Sequence, residues 1–390
     1  MKYLLSDDTW DQNEFAVIQE VLDSKMFSMG KRVARYETEF AEKFGVKYAL
    51  MVSSGSAANL LAVAALVYSG RIKRGDEVIV PAVSWSTTYF PLDQMGFKLR
   101  FVDIDKDTLN MDVEKFAEAI TSKTRLVCLV NLLGNPNEFE KIEEICAKKN
   151  ILIMEDNCES LGAEYYGKKV GTLGLVGTFS TFYSHHLCTM EGGMVVTDDE
   201  ELYHYMLCIR AHGWTRNLPK DSMLYKKSGI QFYESYNFIV PGFNLRPLEI
   251  EGALGSEQLK KMDGIIEQRR RNAEYFRDKM RQFKDVRIQQ EIGDSSWFGF
   301  AIILEGRLKG KRDAVVEAVT GANIEVRPIV AGNFTRNTVI KYLDYSISGE
   351  LVASDDIHDN GFFIGNHSKN IIDEIDYFIE ILDGALKDNG

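Results

Sequence analysis

The sequence has few cysteines and no motif typical of a metal site. Its five cysteines, Cys128, Cys146, Cys158, Cys188 and Cys208, are odd in number and widely spaced along 390 residues. This pattern predicts reduced, buried thiols rather than a disulfide framework. Because no Cys-x-x-Cys pair suggests zinc or an iron–sulfur cluster, we expect no bound metal.

The sequence also lacks an excess of basic residues and any long apolar run. Lys plus Arg is 46 against 58 for Asp plus Glu, a net charge of −12, which disfavours nonspecific binding to nucleic acid or to an anionic membrane. No apolar run approaches the ~20 residues of a membrane span. The start turns acidic within a few residues, unlike a signal peptide. We therefore expect a cytoplasmic protein.

Strand and helix patterns alternate along most of the chain. Apolar runs of strand length, such as "DEVIVPA", "TRLVCLVN" and "NILIMED", are separated by helical patterns such as "FEKIEEICAKKN". Continuous apolarity is typical of strands that are covered on both faces. The alternation predicts an α/β fold with a mostly parallel sheet.

The pattern changes at about residue 248. A long charged helical stretch begins there, and we expect it to be kinked or broken near Gly264. The strand-like "WFGFAIILE", a helical "KRDAVVEAVTG" and "IEVRPIV" follow. These features predict a large domain over residues 1–247, and a long helix with a small α+β domain over residues 248–390.

Two polar stretches could form a ligand site, one at a predicted helix start and one at the end of a predicted strand. In "SSGSAANLL", Gly55 and Ser56 lie at a predicted helix start, where backbone N–H groups suit a phosphate. An ordinary helix cap is the alternative. Asp156 ends the apolar strand "LIMED", and ligands of open α/β sheets bind at the carboxyl ends of strands. It could hold a pyridinium nitrogen, or it could be a solvated acid.

Four further residues lie in loops that could contribute to the same site. Trp85 could stack on a flat ring, or it could belong to the core or an interface. Ser180 could donate a hydrogen bond to a phosphate. His185 is a candidate acid or base in a polar turn, and we assign its neighbour His186 to structure. Asn244 precedes the long helix and could serve a site or a cap.

Taken together and in this order, these stretches resemble the DegT/DnrJ/EryC1/StrS sugar aminotransferase group, from about residue 12 to the C-terminus. The motifs that carry the resemblance are "SSGSAA", "PAVSWSTT", "EDNCESLGAEYYGKKVGTLG", "FSTFYSHH" with "EGGMVVT", and "PGFNLRPLEIEGALGSEQL". The resemblance implies the type I aspartate aminotransferase fold. A large cofactor-binding domain would contain a mostly parallel sheet of the seven-stranded type, beside a smaller C-terminal α+β domain. The implied cofactor is pyridoxal or pyridoxamine 5'-phosphate.

One position departs from the family pattern. The lysine that binds the cofactor covalently lies six residues before the Glu of Glu-Gly-Gly, and counting back from Glu191 reaches His185. A branch of sugar 3-dehydratases shares this histidine, together with motifs that match "RAHGWTRN", "RPIVAGNF" and "FFIGNH". The resemblance implies a lyase that removes the C3 hydroxyl of GDP-4-keto-6-deoxymannose in O-antigen (colitose) biosynthesis. L-glutamate would regenerate the pyridoxamine form, and ammonia would be released.

The resemblance also implies a role for each candidate residue. His185 is the catalytic residue. The expected cofactor-binding residues are Gly55, Ser56, Trp85, Asp156, Glu159, Ser180 and Asn244. Asn244 would come from the partner subunit of a homodimer. The expected contacts to the sugar nucleotide or glutamate are His212, Arg216 and Arg327.

Two alternatives stay open at this point. A 4-aminotransferase of the perosamine type that uses histidine would give an amino sugar that keeps its C3 oxygen. A catalytically dead homologue would explain the loss of the lysine in another way. The retained Asp156, Ser180 and Asn244 argue against a dead site, which has no physical need of them.

Overall fold

The computed structural model describes residues 2–389. The α-helices of this part of the chain are α1 Gln12–Ser24, α2 Lys31–Phe44, α3 Gly55–Tyr68, α4 Ser86–Gln94, α5 Val113–Ala119, α6 Phe139–Lys149, α7 Glu200–Arg210, α8 Gln231–Glu234, α9 Glu249–Met280, α10 Arg312–Gly321, α11 Val352–Asn360 and α12 Ile372–Asn389. None of these helices combines the length and the apolarity needed to cross a membrane.

The β-strands form two main sheets and one small hairpin. They are β1 Tyr48–Val52, β2 Glu77–Pro81, β3 Lys98–Val102, β4 Thr124–Val130, β5 Leu152–Asp156, β6 Glu164–Tyr165, β7 Lys168–Lys169, β8 Val176–Ser180, β9 Gly193–Thr197, β10 Val286–Ile288, β11 Gly299–Leu304, β12 Val326–Arg327, β13 Tyr345–Ile347 and β14 Gly361–Gly365.

The large sheet confirms the predicted α/β architecture. Its strand order is β1-β9-β8-β5-β4-β2-β3-β13, and β9 alone runs antiparallel to its two neighbours. The sheet has eight strands rather than seven, because β13 from the C-terminal part of the chain pairs in parallel with β3. The segment that precedes α11 therefore extends the large sheet.

The order of the strands fixes where a ligand can bind. From β2 the chain proceeds to β3 on one side, and β4 then pairs with β2 on the other side. A crevice opens at such a switch point, at the carboxyl ends of the parallel strands. The carboxyl ends of β2, β4, β5 and β8 therefore lie along one edge of the sheet.

Helix α3 is buried along almost its whole length. Its sequence, "GSAANLLAVAALVY", is apolar on all sides, and such a helix belongs in a core. Asn59 is the exception, a polar side chain that is only 1% exposed. A buried amide must find hydrogen-bond partners, and those of Asn59 lead to the candidate site.

The C-terminal part of the chain forms an antiparallel sheet in the order β10-β11-β14-β12. Its core also takes in the N-terminal Tyr3, whose hydroxyl donates to the Gly365 carbonyl oxygen at 2.7 Å. Helix α9 leads into this part from Glu249. The domain boundary between residues 247 and 248 stays a prediction.

The predicted kink or break near Gly264 is wrong. Helix α9 is continuous over 32 residues, and Gly264 faces open space on one side. On the other side, Met262, Ile265 and Ile266 are buried. Tertiary packing of this apolar face outweighs the ~1 kcal/mol that glycine costs inside a helix.

Candidate active site

Gly55, Asp156 and Ser180 meet at the carboxyl edge of the large sheet. Asp156 ends β5, Ser180 ends β8, and Gly55 is the first residue of α3. A Cβ atom on Gly55 would lie 2.7 Å from the Ser180 Cβ and 2.9 Å from the Cys158 Sγ. Only glycine therefore allows the helix start to approach this closely. Five buried residues lie at this edge and are called the strand-end wall: Gly55 and Asn59 of α3, Thr88 of α4, Asp156 of β5 and Ser180 of β8.

The start of α3 and Ser180 form a cradle for an anion. Ser54 caps the helix by accepting a hydrogen bond from the Ala57 N–H at 3.0 Å. The N–H groups of Gly55 and Ser56 are in the first turn, where no helix carbonyl is available to them. The Ser180 hydroxyl accepts from the Phe182 N–H at 3.3 Å, which leaves its own hydrogen for a ligand. These groups fit a phosphate.

Asp156 is buried, and donors surround it. Its Oδ2 accepts from Asn59 Nδ2 at 2.9 Å and from Thr88 Oγ1 at 2.8 Å, and its Oδ1 accepts from the Cys158 N–H at 3.2 Å. An ionised carboxylate needs such an environment. The sequence prediction found Asp156 but missed Asn59 and Thr88. The lone asparagine in an apolar helix was the available signal.

The neighbouring carboxylate, Glu155, has a different role. Its side chain points to the other side of the strand and accepts from the N–H groups of Gly171, Leu173 and Gly174 at 2.6 to 2.8 Å. Burial raises its pKa to about 7, although these three donors oppose the shift. Glu155 therefore holds the 171–174 loop.

Trp85 and Glu159 follow two strands whose carboxyl ends lie at this edge of the sheet, Trp85 after β2 and Glu159 after β5. Trp85 lies after β2 with 59% of its surface exposed, so a face of its ring is free for stacking. Glu159 accepts from the Leu133 N–H at 2.9 Å. Burial raises the pKa of Glu159 to about 7, with the Asp156 charge adding to the shift and the Leu133 N–H opposing it. Its carboxyl can thus donate or accept a hydrogen bond near neutral pH.

Residues 181–192 form a closed turn, which we call the histidine turn. Thr181 donates its N–H to the Gly192 carbonyl and accepts from the Thr189 N–H, both at 2.9 Å. Gly192 has a φ of +153°, and a Cβ there would lie 2.4 Å from the Thr189 Oγ1. The base of the turn is therefore tightly packed, and His185 and His186 lie within the turn rather than on a strand.

His185 is held by one hydrogen bond and one aromatic contact. Its Nδ1 lies 3.0 Å from the Cys158 carbonyl oxygen, and its ring packs edge-on against Phe298 with centroids 5.2 Å apart. A carbonyl oxygen only accepts, so Nδ1 carries the hydrogen and Nε2 keeps a free lone pair. Burial, with a smaller contribution from the Arg269 guanidinium, lowers the pKa of His185 to about 3. His185 is therefore a neutral base.

His186 differs from its neighbour in its surroundings. It is fully buried, and its Nε2 lies 3.1 Å from the Ser296 carbonyl oxygen. Burial lowers its pKa well below the usual value. Phe298, whose ring contacts both histidines, is held through its carbonyl by the buried Arg269 at 3.2 Å. No local sequence pattern indicates Phe298 or Arg269, because both lie on segments far from the two histidines in the chain.

The predicted substrate residues fall into two groups. The Arg216 guanidinium lies 4.5 Å from the Trp214 ring centroid, and the His212 and Trp214 ring centroids are 4.7 Å apart. Asn244 is exposed beside them and accepts from Arg246 Nε at 2.9 Å. We call these five residues the cationic cluster. Within residues 2–389, no hydrogen bond or ring contact joins its side chains to the strand-end wall or to His185.

Arg327 lies apart from that cluster. It is exposed on the short strand β12, and its guanidinium donates to the carbonyl oxygen of Val326 at 3.3 Å, with no ion pair to any residue that the structure describes. A free guanidinium at the surface is available to an anionic ligand. Its role in a substrate site stays a prediction.

The five cysteines are free thiols. Four are buried as predicted, whereas Cys158 is only half-buried. It lies in the site, with its carbonyl on His185 and its sulfur near Gly55. Burial and the Asp156 charge raise its pKa well above the usual value, so it is a neutral thiol.

Comparison with known proteins places these features in one family. The model of the DegT/DnrJ/EryC1/StrS aminotransferase family matches residues 8–383. GDP-4-keto-6-deoxy-D-mannose 3-dehydratase of Escherichia coli O55:H7 is 55% identical over 386 residues, which is 98% of this chain and 100% of that protein.

Solved structures of proteins with that name are similar to this fold. One contains a trapped PLP-glutamate geminal diamine, and another is a histidine-to-asparagine variant with bound GDP-perosamine. Each is 55% identical to this chain with a TM-score of 0.96, and the match covers 98% of this chain and 100% of the other. The chain therefore belongs to the DegT/DnrJ/EryC1/StrS aminotransferase family.

Proposed function

We propose that this protein removes the C3 hydroxyl of GDP-4-keto-6-deoxy-D-mannose, giving GDP-4-keto-3,6-dideoxy-D-mannose. In this reaction pyridoxamine 5'-phosphate is the cofactor, L-glutamate regenerates it from pyridoxal 5'-phosphate, and ammonia is released. The observation that carries the proposal is His185, a neutral base with a free Nε2 where the family has a lysine. The similarity to GDP-4-keto-6-deoxy-D-mannose 3-dehydratase supports the choice of substrate.

The strand-end wall, together with Ser56, Trp85 and Glu159 beside it, has the groups that this cofactor needs. Gly55, Ser56 and Ser180 would hold the phosphate, and Asp156 would pair with the ring nitrogen. Trp85 would stack on the ring, and Glu159 would contact the ring hydroxyl. The close approach of Gly55 to Ser180 supports this fit, because a larger side chain would fill the cradle. When bound, the cofactor supplies an amine for the ketone and a ring that accepts electrons.

His185 carries the proton transfers. Its Nε2 accepts a proton from the reacting carbon, and the resulting imidazolium can return it to the departing C3 oxygen. The Cys158 carbonyl, at 3.0 Å from Nδ1, fixes the tautomer and stabilises the imidazolium while it lasts. Histidine forms no lasting covalent bond to the cofactor, so the amine stays free to react with the sugar.

We also propose a cytoplasmic homodimer that acts in the synthesis of an O-antigen dideoxysugar. Asn244 is exposed, and within the described residues no side-chain hydrogen bond joins it to its own strand-end wall. It would reach the phosphate of the partner's site. His212, Arg216 and Arg327 would bind the diphosphate of the sugar nucleotide or the carboxylate of glutamate.

The sugar product tests the proposal. The pure protein is incubated with pyridoxal phosphate, L-glutamate and GDP-4-keto-6-deoxymannose, and the product is analysed by mass spectrometry with a parallel ammonia assay. Loss of the C3 oxygen, a remaining ketone and released ammonia are the expected result. An amino sugar that keeps its C3 hydroxyl would indicate an aminotransferase instead. No turnover and no bound cofactor would indicate a dead homologue.

A further inference from the structure

The two carboxylate oxygens of Asp156 accept different numbers of hydrogen bonds. Oδ2 accepts two short hydrogen bonds, from Asn59 Nδ2 at 2.9 Å and from Thr88 Oγ1 at 2.8 Å. Oδ1 accepts one long bond, from the Cys158 N–H at 3.2 Å. A carboxylate oxygen has two lone pairs. Oδ2 is therefore full, and Oδ1 is the oxygen that can still accept a hydrogen bond.

Asn59 is locked in one orientation. The amide nitrogen must face Asp156 and the Thr87 carbonyl, because both of these groups only accept, and the amide oxygen accepts from Thr178 Oγ1 at 2.6 Å. That nitrogen donates its two hydrogens to Asp156 Oδ2 and to the Thr87 carbonyl oxygen, the latter at 3.1 Å. Every hydrogen-bonding group of this buried amide has a partner. Its donation to Asp156 is therefore fixed.

The direction of the Thr88 hydroxyl is fixed by its hydrogen-bond partners as well. Its hydroxyl has one hydrogen, which goes to Asp156 Oδ2. Ser84 Oγ lies 2.7 Å from the Thr88 Oγ1, so the Ser84 hydroxyl must be the donor in that pair. Ser84 and Thr88 are each 2% exposed, and water does not compete for these bonds. Two directed chains of hydrogen bonds thus converge on one oxygen.

The same helix also builds the phosphate cradle. Gly55 begins α3, and Asn59 follows four residues later. Four residues of an α-helix rise about 6 Å along its axis. Helix α3 therefore sets the spacing between the phosphate end of the strand-end wall and the carboxylate end.

We propose that Asn59 and Thr88 are positioning residues that fix the Asp156 carboxylate, with Oδ1 directed at the ring nitrogen of the cofactor. The nitrogen then keeps its proton, which the electron-accepting chemistry requires. Neither side chain touches the substrate. This inference rests on the proposed function, because it needs the cofactor in the strand-end wall.

The test uses variants that remove one donor at a time. Thr88→Val and Asn59→Leu keep the side-chain volume and lose the bond to Asp156. Thr124→Val is the matched control, because Thr124 is 1% exposed and donates to the buried Glu77 at 2.6 Å, at the other edge of the sheet. Thr88→Ser keeps the hydroxyl and should restore wild-type behaviour.

The main measurement is the ¹⁵N NMR shift of pyridoxamine phosphate, labelled at the ring nitrogen and bound to each holoenzyme. We expect a protonated nitrogen at pH 7.5 in the wild type, in Thr124→Val and in Thr88→Ser. In Thr88→Val and Asn59→Leu the shift should move toward the unprotonated value. Turnover should fall about tenfold or more in these two, since a bond to a charged group is lost.

The outcomes separate this inference from the proposed function. A wild-type protein that binds the cofactor with a protonated nitrogen, and Thr88→Val and Asn59→Leu holoenzymes with the same ¹⁵N shift, would overturn the positioning role alone. A wild-type protein whose bound cofactor has an unprotonated nitrogen, or which binds none, would overturn the role of Asp156 and with it the proposed function. If Asn59→Leu does not fold, Thr88→Val and Thr88→Ser decide the question.

Discussion

The strand-end wall and the histidine turn face the same site, but they hold their functional groups differently. In the wall, Asp156 has three donors, and Gly55 leaves no room for a Cβ atom. In the turn, His185 has a single hydrogen bond and leaves Nε2 unbound. The wall fixes its carboxylate with three hydrogen bonds, whereas the turn anchors its histidine with one and leaves the other ring nitrogen available.

This difference matches what each region has to do in the proposed reaction. A group that only holds charge works best when its geometry is fixed in advance. A group that moves a proton needs one nitrogen free and the other anchored, so that the ring keeps its tautomer. Either region can be altered without the other, and we expect the effect to be largest at His185 and smallest at the outer support of the histidine turn.

A substitution that removes the free Nε2 of His185 should have the largest effect on the dehydration rate. In His185→Asn, we expect dehydration to fall by about a thousandfold, within the range for the loss of a general acid–base. The strand-end wall is untouched, so cofactor binding should persist. His204→Asn is the control, since His204 is buried on α7 and contacts Ser222 Oγ. Product formation by mass spectrometry checks this, and near-normal turnover in His185→Asn would contradict the role of His185.

A side chain at position 55 should weaken binding of the cofactor rather than slow the dehydration step. In Gly55→Ala the new methyl would lie 2.7 Å from the Ser180 Cβ, so the helix start must move away. We expect pyridoxamine phosphate affinity to fall by at least about tenfold, measured by fluorescence titration. Gly264→Ala is the control, because nothing lies within 4 Å of that position. It should leave affinity unchanged and add about 0.5–1 kcal/mol of stability. Equal affinities would show that the cradle does not hold the phosphate.

The pH dependence of stability should report on His185. Burial lowers its pKa from 6.5 to about 3 in the folded chain, so the unfolded chain binds the proton first. Its contribution is fully present above pH 6.5 and is lost as the pH falls toward 3. At pH 5 the loss is about 2 kcal/mol relative to pH 7. Urea unfolding of the wild type and of His185→Asn should differ by this amount in their pH dependence, and parallel curves would contradict the assignment.

Removal of the hydrogen bond that joins the N-terminal segment to the histidine turn should have the smallest effect on activity. Trp10 Nε1 donates to the Cys188 carbonyl oxygen at 3.0 Å, which ties the N-terminal segment to the turn. Trp10→Phe loses this bond but keeps the edge-on contact with Phe15. We expect a loss of about 1 kcal/mol in unfolding free energy and a few-fold fall in turnover. Phe15→Leu, which keeps the Trp10 bond, is the control. An unchanged turnover in Trp10→Phe would show that the turn needs no such support.

Much of the candidate site could be predicted because it follows from local patterns. Asp156 and Ser180 end apolar runs, and Gly55 begins a helix after another such run. The carboxyl ends of parallel strands share one edge of a sheet, so the strand pattern alone predicts that these residues lie close together. His185 was found by counting back from Glu191 within one short turn.

The rest of the site depends on contacts between distant segments, which no local pattern contains. Adjacent residues have opposite roles in two places. Asp156 faces the site while Glu155 binds the 171–174 loop, and His185 keeps a free nitrogen while His186 is buried against Ser296. The surrounding packing decides which member of each pair faces the candidate site.

The sequence by itself determined the family, the α/β architecture and the positions of His185, Asp156, Ser180 and Gly55, because motif spacing and strand periodicity are local. Only the tertiary structure decided that α9 runs unbroken past Gly264 and that β13 extends the large sheet. It also decided that Asn59 and Thr88 converge on one oxygen of Asp156. The physical reason is that packing and buried hydrogen bonds join residues far apart in the chain, and those partners exist only once the chain has folded.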